Sequence, residues 1–204
     1  AKEVGYKFKP QYELAINQKL STGEFKNSHS FPEYFLNTFD SIAIDFETAN
    51  NNRLSACAIG LNFVKNNTIV HSKKHYIKPP TSEHFLQTHT NIHGITKEDV
   101  EYSFNFKELW EQEFSKYFNT NLIIFHNASM DLSVLKNLYE HYEIKPFTIS
   151  YIDTMLFADK LGLPKKITEL ARTLNLEVKK HHDPEADAEL CSLIFGELID
   201  KYPN

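Results

Sequence analysis

Four acidic side chains fall on positions that should be apolar. Asp45 and Glu47 lie in the stretch 41–47, SIAIDFE, whose Ile and Phe content marks a strand inside a sheet. Side chains alternate along a strand, so Ile42, Ile44 and Phe46 share one face and Ala43, Asp45 and Glu47 the other. Two carboxylates on one side of a buried strand repel each other and resist desolvation, so something cationic must offset them. Asp131 opens a helical pattern, with Leu135, Leu138, Tyr139 and Tyr142 four, seven, eight and eleven residues on. That spacing puts it on the core-facing stripe. Asp187 is followed by Leu190, Cys191, Ile194 and Leu198 at three, four, seven and eleven, and shares the buried stripe of the last helix. Both acids occupy N-terminal turns, where the helix dipole favours negative charge. A simple cap is the plain alternative for Asp131; ahead of Asp187, Asp183 already fills that role.

Four such acids converging at the end of one strand make a metal site. Ligation by oxygen alone suits hard divalent cations, Mg²⁺ or Mn²⁺, which take a few carboxylates and keep waters and substrate phosphates. His182 stands five residues before Asp187 and just ahead of its helix. It is near the site but outside the ligand set, where a general base is needed. Its neighbour His181 reads as a surface residue.

The elements that must carry these residues follow in chain order. Residues 1–39 form an N-terminal extension, in which Pro10 is placed to open a short helix carrying Tyr12, Ala15 and Ile16. The polar stretch 21–30 reads as a loop and 32–39 as a further helical turn. Residues 40–204 form the main domain. After the strand at 41–47 come strands at 54–64 and 69–77, joined through Lys65-Asn66-Asn67-Thr68, where Asn tolerates the positive φ of a hairpin turn. The stretch 78–95 is irregular. Its His84, His89 and His93, with His75 upstream, have no Cys among them and fit no zinc-finger spacing, so zinc is not expected there. Thr96 caps a turn with Asp99 three residues on. Phe106, Leu109, Trp110, Phe114, Tyr117 and Phe118 give a core-facing helix over 106–118. Strand 121–126, helix 130–142, strand 147–152, helix 154–161 stopped by Gly162, and helix 167–174 come next. The last helix is 184–201, with Asp183 as cap and Pro184 in its first position. Strands first and then helices alternating with strands predict an α/β layer fold with a mixed sheet.

Composition narrows the function. At 204 residues and 41% hydrophobic, the chain has the material for one core and an appendage. No run approaches the ~18 apolar residues of a membrane helix. The chain opens at Ala1 with no charged-then-apolar leader, which fits a processed or cut N-terminus. Cys57 and Cys191 stand apart in apolar segments and read as buried thiols, so a cytoplasmic location is expected. A net charge of −5 argues against coating nucleic acid by bulk attraction. It leaves room for an enzyme that holds a strand locally while its acids face metal ions. The basic pairs Lys73-Lys74, Lys165-Lys166 and Lys179-Lys180 are otherwise ordinary solvated surface.

Three ordered motifs carry a resemblance. Asp45-Phe46-Glu47-Thr48 resembles the first motif of the DEDDh 3′–5′ exonucleases, the family of the proofreading epsilon subunit of bacterial DNA polymerase III. His126-Asn127-Ala128-Ser129-Met130-Asp131 is similar to the second, which usually has Phe where Met130 stands, and His182-Asp183-Pro184-Glu185-Ala186-Asp187 to the third. His93-Gly94-Ile95-Thr96 resembles a further loop of that family. The similarity covers about 39–202. It implies a ribonuclease H-like fold, a mixed five-stranded sheet with helices on both faces. It implies two divalent cations, the first on Asp45, Glu47 and Asp187, with Asp45 also reaching the second and Asp131 supporting the site partly through water. His182 would take a proton from the attacking water. Thr48, His93, Asn127 and Met130 are the implied contacts to the terminal nucleotide, and Lys179-Lys180 stand where backbone phosphate could be met. The expected activity is release of 5′-nucleoside monophosphates from the 3′ end of single-stranded nucleic acid, DNA favoured. The alternatives are an exonuclease on RNA or short oligonucleotides and a non-catalytic binding module. A proofreading role would need a tail docking on a polymerase or clamp; none follows the last helix in this sequence, so a longer parent chain would have to supply it.

Overall fold

The computed structural model describes residues 7–10, 39–118, 122–145, 148–179 and 181–202. The chain enters the sheet as β1 (Lys7–Pro10), followed by β2 (Ser41–Thr48), β3 (Ala56–Lys65) and β4 (Thr68–Tyr76). Asn66 and Asn67 turn the β3–β4 hairpin with φ of 47° and 61°, the left-handed conformation that asparagine tolerates. Short helices α1 (Gln87–His93) and α2 (Lys97–Val100) come next. Thr96 and Asp99 cap α2 reciprocally, as their spacing predicts. The aromatic helix runs as α3 (Phe106–Leu109), a π-helical stretch Trp110–Phe114, and α4 (Ser115–Phe118). Then follow β5 (Leu122–Phe125), α5 (Ala128–His141), β6 (Thr148–Asp153), α6 (Thr154–Lys160), α7 (Ile167–Thr173) and α8 (Pro184–Lys201).

The sheet order is β1-β6-β5-β2-β3-β4. β2 pairs antiparallel with β3 and parallel with β5, while β6 is parallel to both β5 and β1. The five strands expected from the sequence are therefore all present, and the N-terminal extension adds a sixth at the edge. Pro10 lies in that strand; the helical turns expected in the extension fall outside the described residues.

The alternation in β2 splits the core as the sequence predicts. Ile42, Ile44 and Phe46 pack in one layer with Phe106, Trp110, Phe114, Leu135 and Tyr139, beneath the aromatic helix and α5. Ala43 faces the opposite layer with Ile124, Ile152, Cys191 and Phe195, beneath α8. The π-helical stretch seats Glu113 against β4. It takes Lys73 and a 2.6 Å bond from the Tyr117 hydroxyl, with His75 Nε2 3.3 Å away. Burial would raise this carboxyl, but those three partners hold it down at about 2. Among the described residues no helix is long and apolar enough to cross a membrane.

Candidate active site

The pairing of β2 explains how the acids meet. β2 runs alongside β5 only from Ser41↔Leu122 to Ala43↔Ile124. Beyond that point the strand has lost its neighbour on the β5 side, and the Phe46 N–H donates instead to Asp131 Oδ1 at 3.1 Å. A helix from one face of the sheet is thus tied across the free end of β2. From the other face comes α8, whose first turn lies flush against β3. Gly60, the residue opposite Asp45 in the ladder, permits this approach. A Cβ there would sit 1.9 Å from the Pro184 carbonyl oxygen and 2.5 Å from the Glu185 nitrogen. The Asn62 amide fixes the same turn by donating to the Glu185 carbonyl at 3.0 Å, and Ser72 donates to Asn62 at 2.8 Å. Lys74 adds an ion pair to Asp183 at 2.9 Å.

Asp183 caps α8 through the Glu185 and Ala186 N–H groups, with Pro184 next, as the sequence predicts. Asp187 then points from α8 toward β2. Carboxylate oxygens of Asp45, Glu47 and Asp187 lie within 4.8 Å of one another. With Asp131 they border a cleft of about 250 Å³, whose rim includes Asn127, Met130, His181 and His182.

The electrostatics are those of a site with too much negative charge. Burial, then Asp131, Glu47 and Asp187, push the Asp45 carboxyl well above its usual range. Burial, then Asp187 and Asp131, raise Glu47 to about 8. Burial raises Asp131 to about 8, with the Phe46 N–H opposing. Crowded, half-desolvated carboxylates at this spacing fit the donor set of hard divalent ions, which would relieve the repulsion. His182 is held low by burial and by His181, so its imidazole is neutral near pH 7.

The remaining sequence candidates separate into two groups. Asn127 and Met130 reach the cleft. Asn127 adopts a left-handed turn (φ 69°) at the start of α5. Thr48 and His93 lie outside the cleft lining. His93 is buried, donates from Nε2 to the Thr48 carbonyl at 3.2 Å and accepts from the Ile95 N–H at Nδ1. This pair braces the strand next to Glu47. His89 shares the same carbonyl at 2.9 Å. The lysine pairs are neutralised within the chain: Lys165 by Asp159, Lys166 by Glu169, and Lys179 by Glu189 at 2.6 Å. Lys179 is thus paired along α8, and Lys180 lies outside the described residues.

Two residues have larger parts than sequence reasoning gave them. His181 is not a simple surface side chain: its Nδ1 lies 3.0 and 3.1 Å from the two oxygens of Asp187. His182 explains this, because its left-handed backbone (φ 65°) turns both rings to one side, and its own N–H donates to Asp187 Oδ2 at 2.8 Å. Asp153, at the end of β6, accepts from the Asn127 and Ala128 N–H groups at 3.1 and 3.0 Å while capping α6. It thereby fixes the turn from which Asp131 projects. The signal was available: a lone acid closing the apolar run TISYID, directly before a helix.

The fold and this arrangement are those of a nuclease domain built on the ribonuclease H-like plan. The exonuclease (RNase_T) family model matches residues 42–195, and the chain belongs to that family, as its DEDDh motifs imply. The chain is 29% identical over 174 residues to the DNA polymerase III epsilon subunit of Buchnera aphidicola subsp. Schizaphis graminum, covering 79% of this chain and 73% of that subunit. It is 27% identical over 122 residues to the PolC-type DNA polymerase III of Streptococcus pneumoniae D39, covering 55% of this chain and 8% of that polymerase. The chain thus spans a small part of PolC and most of epsilon. Exonuclease X, solved with 5′-overhanging duplex DNA, superposes with a TM-score of 0.64 at 22% identity, covering 79% of this chain and 92% of that one. Family and fold together support the enzyme that the motifs imply, an exonuclease hydrolysing phosphodiester bonds.

Proposed function

We propose that this chain is a metal-dependent 3′–5′ exonuclease that releases 5′-nucleoside monophosphates from single-stranded ends, DNA favoured. One observation carries the proposal: acids from three elements, β2, α5 and α8, converge on one cleft, three of them with oxygens within 4.8 Å. Asp45, Glu47 and Asp187 would hold the first ion, with Asp45 shared toward a second and Asp131 supporting through water. Bound there, Mg²⁺ or Mn²⁺ would supply Lewis-acid polarisation of the phosphoryl group and stabilisation of the charge that develops on the attacking and leaving oxygens. The chain's own residues do the rest. Neutral His182 accepts a proton from the attacking water on an imidazole nitrogen as the water oxygen bonds to phosphorus and the P–O3′ bond breaks; the departing 3′-oxygen takes its proton from solvent water, and His182 later returns its own to solvent. Asn127 and Met130 border the cleft and would contact the terminal nucleotide. Thr48 and His93 act behind them, by holding the end of β2.

DNA is favoured because the epsilon and PolC relatives are DNA polymerase components and Exonuclease X was solved with DNA. Hydrolysis of RNA ends is the alternative on the same cleft. Association with a polymerase is a further reading that rests on the relatives alone. We also propose that residues 1–39 extend an exonuclease domain of 40–204, since the family match begins at 42. The free, buried thiols of Cys57 and Cys191 suit the reducing cytoplasm. The test is a digest of 3′- and 5′-labelled DNA and RNA oligonucleotides with Mg²⁺, Mn²⁺ or chelator, run beside Asp45→Ala. The proposal expects mononucleotides from 3′ ends, only with metal, and none from Asp45→Ala. Full activity of that variant would overturn it.

A further inference from the structure

Asp187 belongs to two sets of donor atoms. One is the oxygen set with Asp45 and Glu47; the other is His181, His182 and Asp187, whose donor atoms also lie within 4.8 Å of one another. The second set is built by the backbone. His182 in the left-handed region folds two consecutive side chains onto one side, with their rings stacked 3.8 Å apart at 27°. The His181 side chain is 34% exposed, so an ion can reach it from solvent. Asp187 is held in place by the His182 N–H at 2.8 Å, the kind of outer bond that orients a metal-binding carboxylate.

The two sets differ in chemistry. Three carboxylates suit hard ions. Two imidazoles and one carboxylate suit borderline ions such as Zn²⁺, with a water completing a tetrahedron. Tetrahedral ligands about 2.1 Å from zinc lie roughly 3.4 Å apart, so the set needs a closure on the order of 1 Å, within reach of the half-exposed His181 ring. We propose that His181, His182 and Asp187 form a second, nitrogen-rich metal site for Zn²⁺-class ions, which competes with the oxygen set for Asp187. A bound Zn²⁺ then withdraws Asp187 from the hard-ion site and occupies His182. The binding claim stands on its own; the inhibition that follows from it rests on the nuclease reading above.

The experiment uses the full chain stripped of metal. Zn²⁺ is titrated against a zinc-chelating dye for the wild type, His181→Ala, His181→Gln and Asp45→Asn. His181→Gln retains a hydrogen-bond donor toward Asp187 and guards against a folding defect. Both His181 variants should lose at least about tenfold in zinc affinity, the low end of what even an outer partner is worth. Asp45→Asn should stay within about twofold of wild type. Zinc affinity lost in Asp45→Asn and kept in the His181 variants would overturn the proposal. In parallel, Zn²⁺ is titrated into Mg²⁺-supported oligonucleotide hydrolysis. Each His181 variant, scaled to its own zinc-free rate, should need at least about tenfold more Zn²⁺ for half inhibition. An unshifted inhibition curve would also overturn it. A wild type that hydrolyses nothing would sink the nuclease reading, while the dye titration still decides the zinc site.

Discussion

Removing one carboxylate from the cleft should stabilise the metal-free protein, and by an amount that depends on pH. Glu47→Gln is the cleanest case, because Gln keeps the shape and drops the charge. Burial and the neighbouring acids raise Glu47 from an ordinary 4.5 to about 8 in the folded chain. The sign follows from linkage. Below pH 4.5 the carboxyl is protonated in both states and imposes no charge penalty. Between 4.5 and about 8 the unfolded chain releases its proton while the folded chain must retain it, so stability is lost as pH rises through that window. At about 1.4 kcal/mol per pH unit the full window is worth about 5 kcal/mol. Solvent still touches this half-buried group, and an effective dielectric well above that of a dry interior cuts the figure to about 2–3 kcal/mol. For a domain of this size that is about 5–10 °C in melting temperature. Thermal melts in chelator at pH 5 and pH 8 measure it. Glu47→Gln should melt above wild type at pH 8 and close to it at pH 5. Saturating Mg²⁺ should stabilise wild type more than the variant at pH 8. A variant that melts at or below wild type at pH 8 would refute the claim that the cleft holds uncompensated negative charge.

Two further substitutions test how the site is held and used. Gly60→Ala sets a methyl 1.9 Å from the Pro184 carbonyl, which is backbone and cannot step aside alone; it should cost about 1–3 kcal/mol in denaturant melts and most of the hydrolytic rate, as the first turn of α8 lifts from β3. His182→Ala should lower the hydrolytic rate by about 10²–10⁴-fold, leaving strand binding by fluorescence anisotropy intact; an unchanged rate would remove His182 from the proton transfer.

Local patterns in the sequence were enough for much of this architecture. Alternation along β2 separates Ile42, Ile44 and Phe46 from Asp45 and Glu47 because a strand's period is a property of the backbone alone. The Asn66-Asn67 turn, the Thr96–Asp99 box and the Asp183-Pro184 helix start are legible for the same reason: each is satisfied within four residues. What escaped is what distant chain decides. The pairing of β1 with β6 joins segments some 140 residues apart, and no signal in Lys7–Pro10 specifies it. The π-helical stretch at Trp110–Phe114 interrupts a regular aromatic pattern where Glu113 meets Lys73 and His75 on β4. His181 and His182 could not be told apart from spacing, since the left-handed turn at His182 decides where both rings go. Thr48 and His93 carry the family resemblance, yet the hydrogen bonds of the His93 ring are with Thr48 and Ile95, and neither Thr48 nor His93 lines the cleft.

The proposed chemistry needs divalent cations between the carboxylates of Asp45 and Asp187. Crystals grown with Mn²⁺ and a non-cleavable 3′-terminal oligonucleotide, measured at the manganese absorption edge, would show it. The expected result is anomalous density between the carboxylates of Asp45, Glu47 and Asp187, with a second peak on the far side of Asp45. Manganese bound elsewhere, with those three carboxylates left unligated, would contradict it.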